Sequence, residues 1–235
     1  MNWFVLLAAH LPQNRKTVGA ESLIRWRHPT RGLLLPLQFI PLAEESGFIV
    51  ALGEWFLQMA CMQMRRWREA GLPIKKWLLM YRQRNFCSDF VATIERTLRM
   101  SGLEPGCLEL EITKNSLMDN SEQTVKSLNQ LCASGIDMAI DDFGRGCFSF
   151  NNLKRTPVKK LKIDSSFVKG MSSNTNDEDI VRSVIALGHS LHLQVVVEGI
   201  ESEGQQKLLK DLDCDEGQGY LYSRPVLAAQ KYFDN

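Results

Sequence analysis

The chain has 235 residues, 44% of them apolar and 23% charged, with a formal net charge of +1. That length accommodates one α/β barrel or two small domains. The near-neutral charge argues against a global attraction to DNA or to a membrane surface, and no apolar run approaches the length of a bilayer span.

"MNWFVLLAAHLP" opens the chain with a short apolar stretch that no basic residue precedes, so it reads as a first core strand and not as a signal peptide. Strands are expected at Phe4–Ala8, Thr17–Trp26, Trp77–Arg82, Cys107–Thr113, Asp137–Asp142, Lys159–Asp164, Gln194–Ile200 and Asp215–Tyr222. The runs between them carry helix signals. One helix ends at Gly71 with Pro73 beyond, a second at Gly102, and a third opens on Asn120 or Ser121 and stops at Gly135. Polar Ser172–Asp179 reads as a loop leading into a helix that sets Ile180, Val184 and Leu187 on one face. Ser202 and Gln205 have capping-box spacing.

Strand and helix alternate without a linker, which predicts βα units around a parallel sheet in a single domain over residues 1–235. Only "HLPQNRK" separates the first two strands. That is too short for a helical crossover, so they should pair as an antiparallel hairpin. The predicted fold is an α/β, modified TIM-type (β/α)8 barrel with an antiparallel first strand. Cys61, Cys87, Cys107, Cys132, Cys147 and Cys214 form no C-x-x-C pair and fall in or beside apolar segments. They are expected to be reduced, buried thiols of a cytoplasmic protein, with no structural zinc.

Parallel barrels place their sites at the C-terminal ends of the strands. There the sequence sets Glu21, Glu109 and Glu111, Asp141 and Asp142, Lys162 and Asp164, Glu198 with Glu201 just after, and Gln218 between two glycines. Acids are rarely buried without partners. Several carboxylates at one rim imply a cation, and an oxygen-rich set suits Mg²⁺, Mn²⁺ or Ca²⁺. Adjacent Asp141 and Asp142 would serve two neighbouring metals against a phosphate ester. Lys162 would steady phosphate charge, and Gly144 and Gly146 would let the loop approach a ligand.

Each acid has an ordinary reading as a solvated strand end, and it is the ensemble that carries weight. "DDFG" lacks the other kinase motifs. His189 and His192, three apart on a helix, either pair on a metal or cap its polar end. Basic "RWRHPTR" (Arg25–Arg31) is either a solvated loop or a phosphate contact. The five tryptophans are scattered and read as core or rim residues.

"GAESLIRWRHPTRG", "FIPLAEESGFI", "LELEITKNSLM", "IDDFGRG", "LKRTPVKKLKIDSSFV", "VVVEGIESEGQQKLL" and "CDEGQGYLYSRP" run almost from end to end of the chain. Together they resemble the bacterial EAL domain, which hydrolyses cyclic di-GMP to linear pGpG. The resemblance implies a barrel with an antiparallel first strand and a two-metal Mg²⁺ or Mn²⁺ site. It implies metal ligands at Glu21, Glu111, Asp141, Asp142 and Glu198. Catalytic or supporting roles fall to Glu21, Lys162, Glu201 and Gln218, and substrate contacts to Leu23, Arg25 and Asp164.

The chain departs from the family pattern in several places. Signature "EAL" reads "ESL" here. Met80 stands where the family has a metal-binding asparagine, and a thioether suits a hard cation poorly. Asn85 lies five residues further on. Arg145, Cys147 and Phe148 replace a threonine, a tyrosine and a serine of a loop that couples ligand, metal and dimer contacts, and "LLA" (Leu6–Ala8) replaces "YQP". Three readings follow: a phosphodiesterase with weakened or lost turnover, a non-catalytic cyclic di-GMP receptor, and a regulator that binds a protein partner and no nucleotide. The altered loop implies a weak homodimer or a monomer.

Overall fold

The short joint after the first strand decides the topology. In the computed structural model, which describes residues 2–12, 17, 19–72, 74, 76–81, 88–113, 122–144, 153, 156–171 and 175–227, β1 (Asn2–Pro12) runs antiparallel to β2 (Gly19–His28). Their register extends from Asn2↔Arg27 to His10↔Gly19. β1 is also antiparallel to the last barrel strand, β9 (Glu216–Gln218). Between them β2, β4 (Lys76–Tyr81), β5 (Leu108–Thr113), β6 (Asp137–Phe143), β7 (Lys160–Ile163), β8 (Gln194–Glu198) and β9 pair in parallel and in order, closing the ring.

Two short strands escaped the sequence reading. β3 (Gly32–Leu34) folds back on β2, and β10 (Val226–Leu227) adds to β1. Two or three residues carry too little alternation to be seen.

Helices α1 (Pro36–Glu45), α2 (Ile49–Glu69), α3 (Ser88–Ser101), α4 (Glu122–Ala133), α5 (Ser165–Gly170), α6 (Thr175–Ser190) and α7 (Glu203–Asp211) accompany the strands. Three glycines past helix ends have positive φ as expected: Gly71, Gly102 and Gly135. The Ser202 box forms, with its hydroxyl accepting from Gln205 N at 3.3 Å and Gln205 Oε1 accepting from Ser202 N at 3.0 Å. On α6 the buried face is Val181, Val184 and Ile185. Ile180, expected inside, is 39% exposed.

Burial on both faces explains the apolar strands, as parallel sheets require. Leu110, Ile112, Met138, Ile140, Leu161, Ile163, Val195 and Val197 join the main apolar cluster together with the helices. The alternate positions are different in kind. Glu109, Glu111, Asp137, Asp141, Lys160 and Lys162 are buried polar or charged, and only Ala139 and Val196 among them are apolar. Among the described residues of β5 to β8, the inward face is therefore mostly charged, where aliphatic layers are usual.

Among the described cysteines Cys61, Cys107, Cys132 and Cys214 are free thiols. Burial pushes Cys61 and Cys214 up to about 12, leaving them protonated and inert. Cys87 and Cys147 lie outside the described residues. No helix among the described residues is long and apolar enough to cross a membrane.

Candidate active site

Lys162 is the centre of the mouth. It projects inward from β7 and is fully buried. Its Nζ lies 2.5 Å from Glu111 Oε1 on β5, 2.5 Å from Glu198 Oε1 on β8 and 3.9 Å from Asp141 Oδ1 on β6. Glu21 on β2 is also buried and adds its field to Lys162, Glu111 and Glu198. Gln218 on β9 donates from Nε2 to Glu21 Oε2 at 2.6 Å. Six of the expected residues, from six strands, thus meet at one rim.

Four carboxylates face one ammonium. Burial alone would lower the Lys162 pKa, but attraction to Glu111, Glu198, Glu21 and Asp141 outweighs it and holds the value well above the ordinary one. Burial pushes Glu111 well above the carboxylate range, and Glu21, Asp141 and Glu198 add to the rise against the opposing pull of Lys162. Burial, with Glu21 and Asp141, lifts Glu198 to about 7 against the pull of Lys162. The cluster is short of positive charge.

The residues fit a divalent cation on chemistry. All donors are oxygens, and Glu111 Oε2 and Gln218 Oε1 are buried without a hydrogen-bond partner. Among the described residues, no group of three or more His, Cys, Asp or Glu already stands in coordinating geometry. Lys162 occupies one oxygen each of Glu111 and Glu198.

The remaining expected residues sit around this centre. Asp142 follows Asp141 with φ 55, and its N–H donates to Asp141 Oδ1 at 2.9 Å. Arg25 is half-buried and donates from Nη1 to Ile24 O at 2.8 Å. Burial lowers its pKa, with Glu21 and Tyr220 opposing. Leu23 is half-buried. Asp164 caps α5, with Oδ1 accepting from Ser166 N at 2.8 Å. Glu201 is exposed, and its N–H donates to Gln205 Oε1 at 2.8 Å. Met80 is the backbone register partner of Glu111. Asn85, Arg145, Cys147 and Phe148 lie outside the described residues.

One expectation changes, and two open readings gain their contacts. Glu109 was read as reaching the same rim as Glu111, but it lies one layer deeper against Lys160, at 3.1 Å. His189 Nε2 meets Asp215 Oδ2 at 2.9 Å, and His192 lies beyond the helix end with φ 58. In "RWRHPTR", His28 Nδ1 accepts from the N–H groups of Thr30 and Arg31, both at 3.2 Å, and so builds the turn into β3.

The sequence reading missed Lys160, Glu216, Asp137, Lys76 and Lys159. Lys160 and Glu216 each stand two residues before a site residue, and that same-face spacing was the available signal.

The model of the EAL domain family matches residues 10–225. The chain belongs to the EAL domain family. It is 40% identical over 225 residues to the bifunctional diguanylate cyclase/cyclic di-GMP phosphodiesterase MucR of Pseudomonas aeruginosa, a match covering 94% of this chain and 32% of that protein. It is 40% identical over 220 residues to the cyclic di-GMP phosphodiesterase NbdA of the same organism, covering 91% and 28%. Among solved structures, the MucR phosphodiesterase in complex with cyclic di-GMP superposes with a TM-score of 0.91 at 38% identity, covering 96% of this EAL domain and 92% of that chain. The domain thus spans about a quarter to a third of the length of the curated relatives it matches.

Proposed function

We propose that this EAL domain binds cyclic di-GMP at its acidic mouth and hydrolyses it to linear pGpG with Mg²⁺ or Mn²⁺, at a rate lowered by Met80. The observation that carries the reading is the meeting of Glu21, Glu111, Asp141, Glu198, Lys162 and Gln218 at one rim. The named activities of the relatives agree with it. Glu21, Glu111, Asp141, Asp142 and Glu198 would hold the cations, which supply Lewis acidity toward a phosphodiester and its attacking water.

The rest is the work of the chain. One water adds to phosphorus, the bond to the ribose 3′ oxygen breaks, and that oxygen leaves with a proton as a hydroxyl. Lys162 Nζ steadies the charge that grows on the phosphoryl oxygens. Gln218 Oε1 has no hydrogen-bond partner in the barrel and accepts a hydrogen of the attacking water, while its Nε2 is fixed on Glu21. Half-buried Arg25 meets a phosphate, Leu23 and Asp164 contact the substrate beside it, and Glu201 supports the loop after β8. Met80 brings a soft sulfur residue to the position paired with Glu111, where the family has an amide oxygen.

Product analysis of cyclic di-GMP incubated with Mn²⁺, run beside calorimetric binding, tests this. The expected result is slow conversion to pGpG that Glu21→Ala abolishes, and that Met80→Asn with Arg145→Thr accelerates about tenfold or more. Tight binding with no conversion in the repaired variant would make the domain a receptor. Neither binding nor conversion would make it a protein-binding regulator.

A further inference from the structure

Under the mouth lies a second ionic layer that the proposed reaction does not use. Lys160 Nζ stands 3.1 Å from Glu109 Oε2 and 3.1 Å from Glu216 Oε2. Side-chain exposure is 6% for Lys160, 0% for Glu109 and 11% for Glu216. Burial alone would lower the Lys160 pKa, but the two carboxylates outweigh it and hold the value above the ordinary one, so the ammonium stays charged.

Each member of this triad sits two residues before a member of the mouth, on the same strand and the same face. Glu109 precedes Glu111 on β5, Lys160 precedes Lys162 on β7, and Glu216 precedes Gln218 on β9. The layers are therefore about 6–7 Å apart. β5 and β9 flank β7 symmetrically, each two strands away in the sheet. The intervening strands contribute Ala139, register partner of Lys160, and Val196, register partner of Glu216, neither of which has a polar side-chain atom. Lys160 thus reaches across β6 and β8, donating a hydrogen bond to Glu216 and pairing by charge with Glu109, whose two carboxylate oxygens are buried without a hydrogen-bond partner.

We propose that Lys160, with Glu109 and Glu216, is a positioning triad that sets the height of Glu111, Lys162 and Gln218 in the mouth. It touches neither substrate nor reacting atoms. Its consequence for turnover rests on the hydrolytic reading above, whereas its consequence for geometry does not. A buried ion triad can be replaced by apolar residues without loss of stability, so stability and positioning are separable here.

The test reads the side-chain amide of Gln218 by NMR in the metal-free protein, assigned by its loss in Gln218→Ala. Donated to a carboxylate at 2.6 Å, that amide should resonate downfield of a free glutamine. The shift should collapse in Lys160→Met, persist in Lys160→Arg, and collapse in the apolar triple Glu109→Leu, Lys160→Met, Glu216→Leu. The triple should nevertheless melt cooperatively at or above the parent temperature. With Mn²⁺ and cyclic di-GMP, Lys160→Met and the triple should lose roughly ten- to hundredfold in kcat with KM within about twofold, and Lys160→Arg should recover most of it. A Gln218 shift retained in the folded triple or in Lys160→Met overturns the proposal. So does a triple that fails to fold, because the triad would then be a folding element. If the parent shows no turnover, the hydrolytic reading fails while the amide shift still decides the positioning role.

Discussion

Two ion clusters at opposite ends of the barrel use the same residue types in opposite proportion. At the C-terminal mouth, Glu21, Glu111, Asp141 and Glu198 surround the single ammonium of Lys162. At the N-terminal rim, Asp137 on β6 accepts from Lys76 on β4 and from Lys159 before β7, the latter at 2.5 Å, while Lys76 also donates to Gly106 O at 2.7 Å. Burial acts to raise the Asp137 pKa, but the hydrogen bonds from Lys159 and Lys76 win and hold it below the usual carboxylate value. The Glu111 carboxyl, by contrast, is pushed up. A rim whose acids are outnumbered by cations is satisfied by the chain itself. A rim whose cation is outnumbered by acids is stable only with protons or added cations.

Removing a cation should therefore hurt the mouth most. Lys162→Met leaves Glu111 and Glu198 facing one another without their shared partner, and an unfolding free energy lower by about 3–5 kcal/mol is expected in denaturant titrations at pH 7. Mn²⁺ should restore part of that loss, since a ligand that binds only the folded state stabilises it. An unchanged midpoint, with or without Mn²⁺, would show that the mouth is not short of positive charge.

At the opposite rim the effect is smaller and has a definite pH sign. Asp137→Asn should cost about 1–3 kcal/mol at neutral pH. Because the folded pKa is depressed, the Asp137 contribution is complete above the unfolded value and disappears as pH falls through the folded one. The parent should lose stability below about pH 4, and the variant should show a flatter acid limb. Parallel acid limbs would contradict the pairing.

The smallest expected effect lies outside both rims. Ser202→Ala removes the side-chain cap of α7 and should lower stability by about 1 kcal/mol, a shift readable as a lower thermal midpoint.

The same contrast explains what the sequence disclosed. Alternation of strands and helices, together with the seven-residue joint "HLPQNRK", was enough to foresee a barrel with a reversed first strand. Period-two spacing also told which side chains share a face. It did not tell their depth. Glu109 and Glu111 look equivalent along β5, yet one meets Lys160 and the other Lys162. Depth is set by the stagger between neighbouring strands, which no local pattern encodes. Lys160 and Glu216 were passed over although their two-residue spacing from Lys162 and Gln218 marked them, and Asp137 because an acid at a strand start looks solvated. Ile180 was misplaced by one position because helical periodicity tolerates a small rotation of the buried stripe.

The central claim is that carboxylates from separate strands converge to hold divalent cations. It is tested most directly by calorimetric titration of Mn²⁺ into the parent domain and into Glu111→Gln, which keeps the shape of a fully buried side chain and removes its charge. Saturable binding by the parent and an affinity at least about tenfold weaker in the variant are expected. Equal affinity in the two proteins, or no binding by a folded parent, would contradict it.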